Sequence, residues 1–305
     1  MTPSRTQELA VLRSVTYAAL FDYPLTLAQL HASLIGVGAD AETVAAWWQT
    51  SDFLQAVIEH HDGLYFPVGR RDLLSTRARR EVLSRDLLDR DRRILSVVVA
   101  MPFVRMVALS GSLAHLNAER SADLDLFVIT APHRVWSVTV SLLVIARLFG
   151  WRRRMCLNYV ISEDALRVEP PDLFSANQII HLRPILGNDV FARFVDANPF
   201  VREHYPNFTI DGAPLKPSRP QALKPSIERV MSVGLAQAAE RSARAIYRWH
   251  LNRRAQTWQS RDQVRLEPEC LKLHTSSHRT AALARYDAAV DEALRRAREK
   301  ETVAS

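Results

Sequence analysis

The sequence predicts an α/β protein in three parts. A small N-terminal unit of helices and a hairpin covers residues 1–70, a central region of strands alternating with helices covers 71–205, and a C-terminal helical region covers 206–305. Three observations predict it. Apolar runs at 104–109, 123–130 and 155–162 have strand length and polar or turn residues at their borders. The segments around them repeat apolar residues at three- and four-residue spacing, the period of a helix packed on one side. Near the N-terminus, Asp62-Gly63 separates two short apolar runs, a strong local hairpin signal.

Taken in order, Thr6–Phe21 has helical spacing and stops before Pro24, Thr26 can cap a helix over Leu27–Leu34, and Asp40 can cap a third from Ala41 to Gln49. Ala56–His60 and Leu64–Val68 then form the hairpin across His61-Asp62-Gly63. Three helices followed by a hairpin suggest a winged helix. In a DNA reader of that kind the third helix enters the major groove. Here that helix carries Glu42, Trp47 and Trp48 but no Lys or Arg, which argues against DNA binding and for a structural or protein-binding unit. Arg70–Val97 reads as a long connector helix, its charges forming a solvated face and Leu83, Leu87, Leu88, Ile94 and Leu95 facing inward.

The chemistry-bearing stretch lies between the first two central strands. Val104–Leu109 ends at Ser110-Gly111-Ser112, Leu113–Ala118 fits a short helix, and Asp123–Thr130 is the next strand. Alternation on a strand puts Asp123 and Asp125 on one face, with Leu124 and Leu126 on the other. Gly111 allows close backbone approach to a phosphate, and the Ser112 hydroxyl and nearby amides supply donors. Two converging carboxylates suit Mg²⁺, which keeps several waters and binds through one or two carboxylates plus phosphates. The blander alternative is a pair of solvated aspartates beside an ordinary turn. The Gly-Ser turn one helix upstream of them favours a nucleotide site, with Ser110, Gly111 and Ser112 binding the nucleotide and Asp123 and Asp125 the metal.

These residues resemble the signature of the DNA polymerase beta-like nucleotidyltransferase superfamily: a Gly-Ser turn, a variable helix, and Asp-hydrophobic-Asp-hydrophobic on a strand. Within it the chain is similar to bacterial stand-alone nucleotidyltransferase-domain proteins with a winged-helix-like N-terminal region. The resemblance covers about the middle third of the chain and is almost silent on substrate. It implies a mixed sheet flanked by helices, Mg²⁺ or alternatively Mn²⁺, and attack of an acceptor hydroxyl on the α-phosphate of a nucleoside triphosphate with release of pyrophosphate. The acceptor could be a small molecule, an RNA or a protein hydroxyl. The resemblance also implies a C-terminal part that helps form the acceptor pocket, and a third carboxylate from a later strand. In the predicted strand Met155–Ser162 that position is Asn158, on a face with Cys156 and Val160. An amide oxygen can ligate a metal but cannot act as a base. Three readings stay open: Asp123, Asp125 and Asn158 form the catalytic set; Glu163 or Asp164 reaches in; or the domain is a non-catalytic nucleotide sensor or adaptor.

Composition bounds the rest. The formal net charge of +7 favours a polyanionic partner, which a nucleotide satisfies as well as a nucleic acid. Met1–Glu8 lacks a signal-peptide pattern, and Val135–Phe149 is too short and too interrupted by Ser137, Thr139, Ser141 and Arg147 for a membrane span. It reads as a buried helix crossing the sheet. Cys156 and Cys270, far apart and without a CxxC pattern, argue against a disulfide framework and for the cytoplasm. Further on, Phe174–Leu186 is expected as a helix containing Gln178, His181 and Arg183, Val190–Ala197 as another, and Tyr205–Pro225 as a proline-rich linker. Ser226–Trp258 and Thr280–Arg298 are expected as helices. His115 either faces the nucleotide or packs beside the short helix. His274 and His278 have metal-compatible spacing but no third ligand, so they read as part of a turn; the alternative is phosphate contact together with Lys272 and Arg279.

Overall fold

The first helix is set by its start. Ser4 accepts the Gln7 N–H while the Gln7 side chain accepts the Ser4 N–H, so α1 (Arg5–Ala19) opens with a capping box. In the computed structural model, which describes residues 2–210, 224–231, 236–273 and 279–304, the same device recurs at Thr26 and Gln29. There β1 (Leu25–Thr26) leads into α2 (Leu27–Ala32). Asp40 caps α3 (Ala41–Thr50), as its side chain predicts. Ser51 then caps α4 (Asp52–Val57), so the strand expected from Ala56 begins only at Ile58. The hairpin pairs β2 (Ile58–His61) with β3 (Leu64–Pro67). Asp62 and Gly63 both take positive φ, 51° and 73°, as a tight two-residue turn requires. β1 joins the other side of β3. The aromatic pair of α3 serves packing: Trp47 is buried, and Trp48 donates its indole N–H to the Ile58 carbonyl at 3.1 Å.

α5 (Asp72–Ala100) runs from this unit to the central sheet. Leu87 and Ile94 are buried and Leu83, Leu88 and Leu95 half-buried against the sheet, as their spacing predicts. The fully buried Asp91 is held by Arg90 and Arg154. The central elements follow as β4 (Val104–Leu109), α6 (Gly111–Ala114), β5 (Leu124–Thr130), α7 (Val135–Leu148), β6 (Met155–Ser162), α8 (Leu173–Ile180), β7 (Arg183–Leu186), α9 (Asn188–Asp196) and α10 (Phe200–His204). Beyond them lie α11 (Lys224–Met231), α12 (Ala236–Asn252), β8 (Val264–Leu266), β9 (Cys270–Leu273) and α13 (Arg279–Ala304). Six strands form one mixed sheet in the order β7-β4-β5-β6-β9-β8, with β5 and β6 parallel and the other pairs antiparallel. Residues of α5, α7 and α12 pack on one face, and α8, α9 and α10 on the other. As expected, α7 crosses the sheet; the Trp136 and Ser137 N–H groups at its start donate to the Glu240 carboxylate at 2.8 and 2.7 Å. Among the described residues no helix is long and apolar enough to cross a membrane. Both cysteines are free thiols.

Two expectations are corrected. Residues 174–186 are not one helix: α8 stops at Ile180, and Arg183–Leu186 forms an edge strand on β4. Pro184, which has no N–H to give, is tolerated because the strand has only one neighbour. The C-terminal region is also not all helical, since β8 and β9 extend the sheet beyond β6. Strands of three and four residues are too short for periodicity to reveal. Ala293, Leu294 and Ala297 of α13 return to the core of the N-terminal unit. Most of the expected proline-rich linker, and both His274 and His278, lie outside the described residues.

Candidate functional site

The site is assembled where β4 gives way to α6. The Ser110 N–H donates to the Asp125 carbonyl at 3.0 Å, tying the turn to the start of β5. Gly111 has φ of +63°, the left-handed region that favours glycine, and a Cβ there would lie 2.6 Å from Asp125 Oδ2. Glycine is thus required twice, for its backbone and for the space. Ser112 sits in the one turn of α6, and its carbonyl accepts the Asn117 N–H at 2.9 Å. Asp123 lies just ahead of β5, which starts one residue later than expected, and Asp125 lies within it. An oxygen of each carboxylate and the Cys156 sulfur lie within 4.8 Å of one another. Burial, and next the neighbouring Asp123, push the Asp125 carboxyl up to about 6, against the hydrogen bond from Cys156.

The residue beside Asp125 is decided by register. Asp125 stands opposite Cys156, but Phe127 stands opposite Tyr159, so β6 carries one extra residue between them. The regular alternation that grouped Cys156, Asn158 and Val160 is broken there. Met155, Leu157 and Val160 share one core, while Tyr159 and Ile161 lie in the other. Asn158 falls in this irregular stretch of β6, and the Cys156 sulfur lies with the two aspartates. Glu163 does not reach in. It pairs with Arg105 at 3.8 Å and Arg193 at 3.3 Å, roughly 20 Å along the strand from Cys156. Asp164 follows it at the same far end.

Two cavities share Gly111 and Gln178. The smaller, of about 170 Å³, is lined by Ser110, Asp125, Tyr159 and Lys272 among others. Lys272 is buried, its Nζ 5.3 Å from the Tyr159 ring centroid, and burial pulls its pKa down. Of the weaker phosphate candidates, Lys272 is therefore brought to the site, whereas Arg279 Nε donates to Asp172 at 2.8 Å. The larger cavity, of about 520 Å³, lies between the N-terminal unit and the sheet and has Ser112, Tyr17, Tyr23, His115, His181 and Tyr205 in its walls. His115 packs on His181 with ring centroids 4.1 Å apart, and on Tyr23 at 5.6 Å. Burial holds both imidazoles neutral, His181 down to about 4 and His115 well below its ordinary value. His181 Nδ1 donates to the Asn177 carbonyl at 2.8 Å, leaving Nε2 as an acceptor. Sequence reasoning missed Tyr17 and Tyr205 as site residues, because nothing local marks a wall that α1, α8 and the end of α10 build together. The expected C-terminal contribution to this pocket is not found among its described lining residues, which end at Tyr205.

No family model, curated protein or solved structure matches the chain.

Proposed function

We propose that the chain is a Mg²⁺-dependent nucleotidyltransferase, with a nucleotidyltransferase-type sheet and a winged-helix-like N-terminal unit, that moves a nucleoside monophosphate from a triphosphate to an acceptor hydroxyl. The observation that carries the reading is Gly111 seated against Asp125, with Asp123 converging on the same point. Two hard carboxylate donors fit Mg²⁺, while the softer Cys156 thiol does not add to that fit. The ionised Asp125 is costly where it stands, and a divalent cation offsets that cost. Such an ion, when bound, supplies positive charge to the phosphate oxygens.

The chain's own residues supply the rest. Gly111 admits the triphosphate close to the backbone, Ser112 donates to its oxygens, and Lys272 adds charge from β9. In the reaction the acceptor oxygen bonds to the α-phosphorus as the bond from that phosphorus to the oxygen bridging to the β-phosphate breaks. Pyrophosphate leaves with the electron pair and the acceptor proton passes to solvent.

One observation favours a second reading, a nucleotide-binding sensor: the group that joins the two aspartates among the described residues is a thiol, not a carboxylate. Pyrophosphate release and label transfer from each α-labelled nucleoside triphosphate, with Mg²⁺ or Mn²⁺ and a cell extract, separate the two. Transfer that falls by about 10³ in Asp123→Ala/Asp125→Ala supports the enzyme. Saturable nucleotide binding without transfer supports the sensor, and the absence of both overturns both.

A further inference from the structure

The larger cavity is the least explained feature of the molecule. At about 520 Å³ it has the size of a small-molecule site, and it opens beside Gly111 and Ser112 without containing Asp125. Its walls are largely aromatic, and the charged members of its lining are Asp22, Arg80 and Glu119. Tyr17 is 3% exposed, and among the described residues its hydroxyl has no hydrogen-bond partner. That hydroxyl has under 1 Å² of accessible surface, so Tyr17 offers the cavity its ring and not its hydroxyl. Nearby, the buried Asn177 amide donates to the Tyr205 hydroxyl at 3.0 Å, and His181 presents Nε2 as an acceptor. The charged groups at the rim answer one another. Arg80 pairs with Glu119 at 2.8 Å and Asp22 at 3.5 Å, and Arg70 pairs with Asp22 at 2.9 Å. No lining carboxylate stands without an ion pair among the described residues, so nothing here selects a polycationic ligand.

We propose that this cavity is the acceptor site and that it takes an uncharged, hydroxyl-bearing aromatic or fused-ring molecule. The ring lies among Tyr17, Tyr23 and the His115–His181 stack, where edge and face contacts are available. Its hydroxyl is directed toward Ser112 and the aspartates. The N-terminal unit then acts as one wall of the acceptor pocket, through α1 and the Phe21–Leu25 segment. The acceptor role rests on the nucleotidyl-transfer reading; the chemistry of the ligand does not.

Calorimetric titration of the full chain with 2-naphthol tests it, with the trication spermidine and with adenosine as comparison probes. The expected result is saturable 2-naphthol binding that is weakened at least tenfold by Ala18→Trp, which fills the space. Absence of saturable 2-naphthol binding, equal affinity in a folded Ala18→Trp, or tighter binding of spermidine overturns the ligand class. Adenosine binding that Ala18→Trp abolishes makes the cavity the nucleoside site and overturns the acceptor assignment. If label transfer occurs and Ala18→Trp does not alter it, the transfer reading stands and this proposal fails. If 2-naphthol binds as expected and no transfer occurs in any extract, the pocket stands and the transfer reading fails.

Discussion

The two cavities that meet at Gly111 differ in how they treat charge. The smaller keeps Asp125 and Lys272 in its wall, one carboxyl raised to about 6 by burial and one ammonium lowered by it. The larger is walled by rings and amides, and its two imidazoles are held neutral. Burial penalises the charged form in both places; the charged groups of the larger cavity pair with one another, Arg80 with Asp22 and Glu119, while in the smaller one a metal and phosphates would offset the penalty. Gly111 lies in the wall of both. Any side chain at Gly111 would displace the carboxylate on one side and narrow the entrance on the other.

Gly111→Ala breaks the comparison most severely. The methyl group meets Asp125 Oδ2 and the backbone resists positive φ, so the variant is expected to lose about 2–4 kcal/mol in denaturant unfolding and transfer to fall about 10²-fold. Asp125→Asn separates charge from shape. Because the folded carboxyl titrates above its unfolded value, its contribution to stability is present below about pH 4 and is lost as pH rises through about 6. Without divalent cation, the variant is therefore expected to unfold at higher denaturant than wild type at pH 7–8, by about 1–2 kcal/mol, with the gain vanishing toward pH 4. Equal midpoints at pH 8 would remove the charge from the account.

Lys272→Met is the milder change on the same side. It is expected to weaken triphosphate binding about tenfold, measured by calorimetry, while leaving 2-naphthol affinity within twofold. The smallest effect belongs to the neutral cavity. His181 has its folded value lowered, so its contribution is present above about pH 6.5 and is lost as pH falls toward about 4. His181→Asn is expected to flatten the fall in stability over that window by at most about one proton, read from the pH dependence of the unfolding midpoint.

Local chemistry accounts for what was legible. The caps at Thr26 and Asp40, the Asp62-Gly63 turn, the apolar run of α7 and the Gly111/Asp123/Asp125 pattern all act within a few residues, so the chain itself marks them. The sequence also placed Leu87 and Ile94 inward, because helical period needs no partner to be read. What could not be read depended on pairing across the chain. Alternation along β6 grouped Cys156 with Asn158, but only the pairing of β5 with β6 shows that Cys156 stands opposite Asp125 and that an added residue follows before Tyr159. The short strands β7 and β9 pair on the edges of β4 and β6, with β8 beyond β9, and with β9 comes Lys272.

By itself, then, the sequence determined the capped helices, the hairpin, the central strands and the carboxylate pair, all of them set by propensities and contacts between near neighbours. Only the tertiary structure decided the sheet order, the partner of Asp125 and the cavity walled by Tyr17, His181 and Tyr205. Those depend on register and on burial, and both are properties of segments distant in the chain that become neighbours only when it folds.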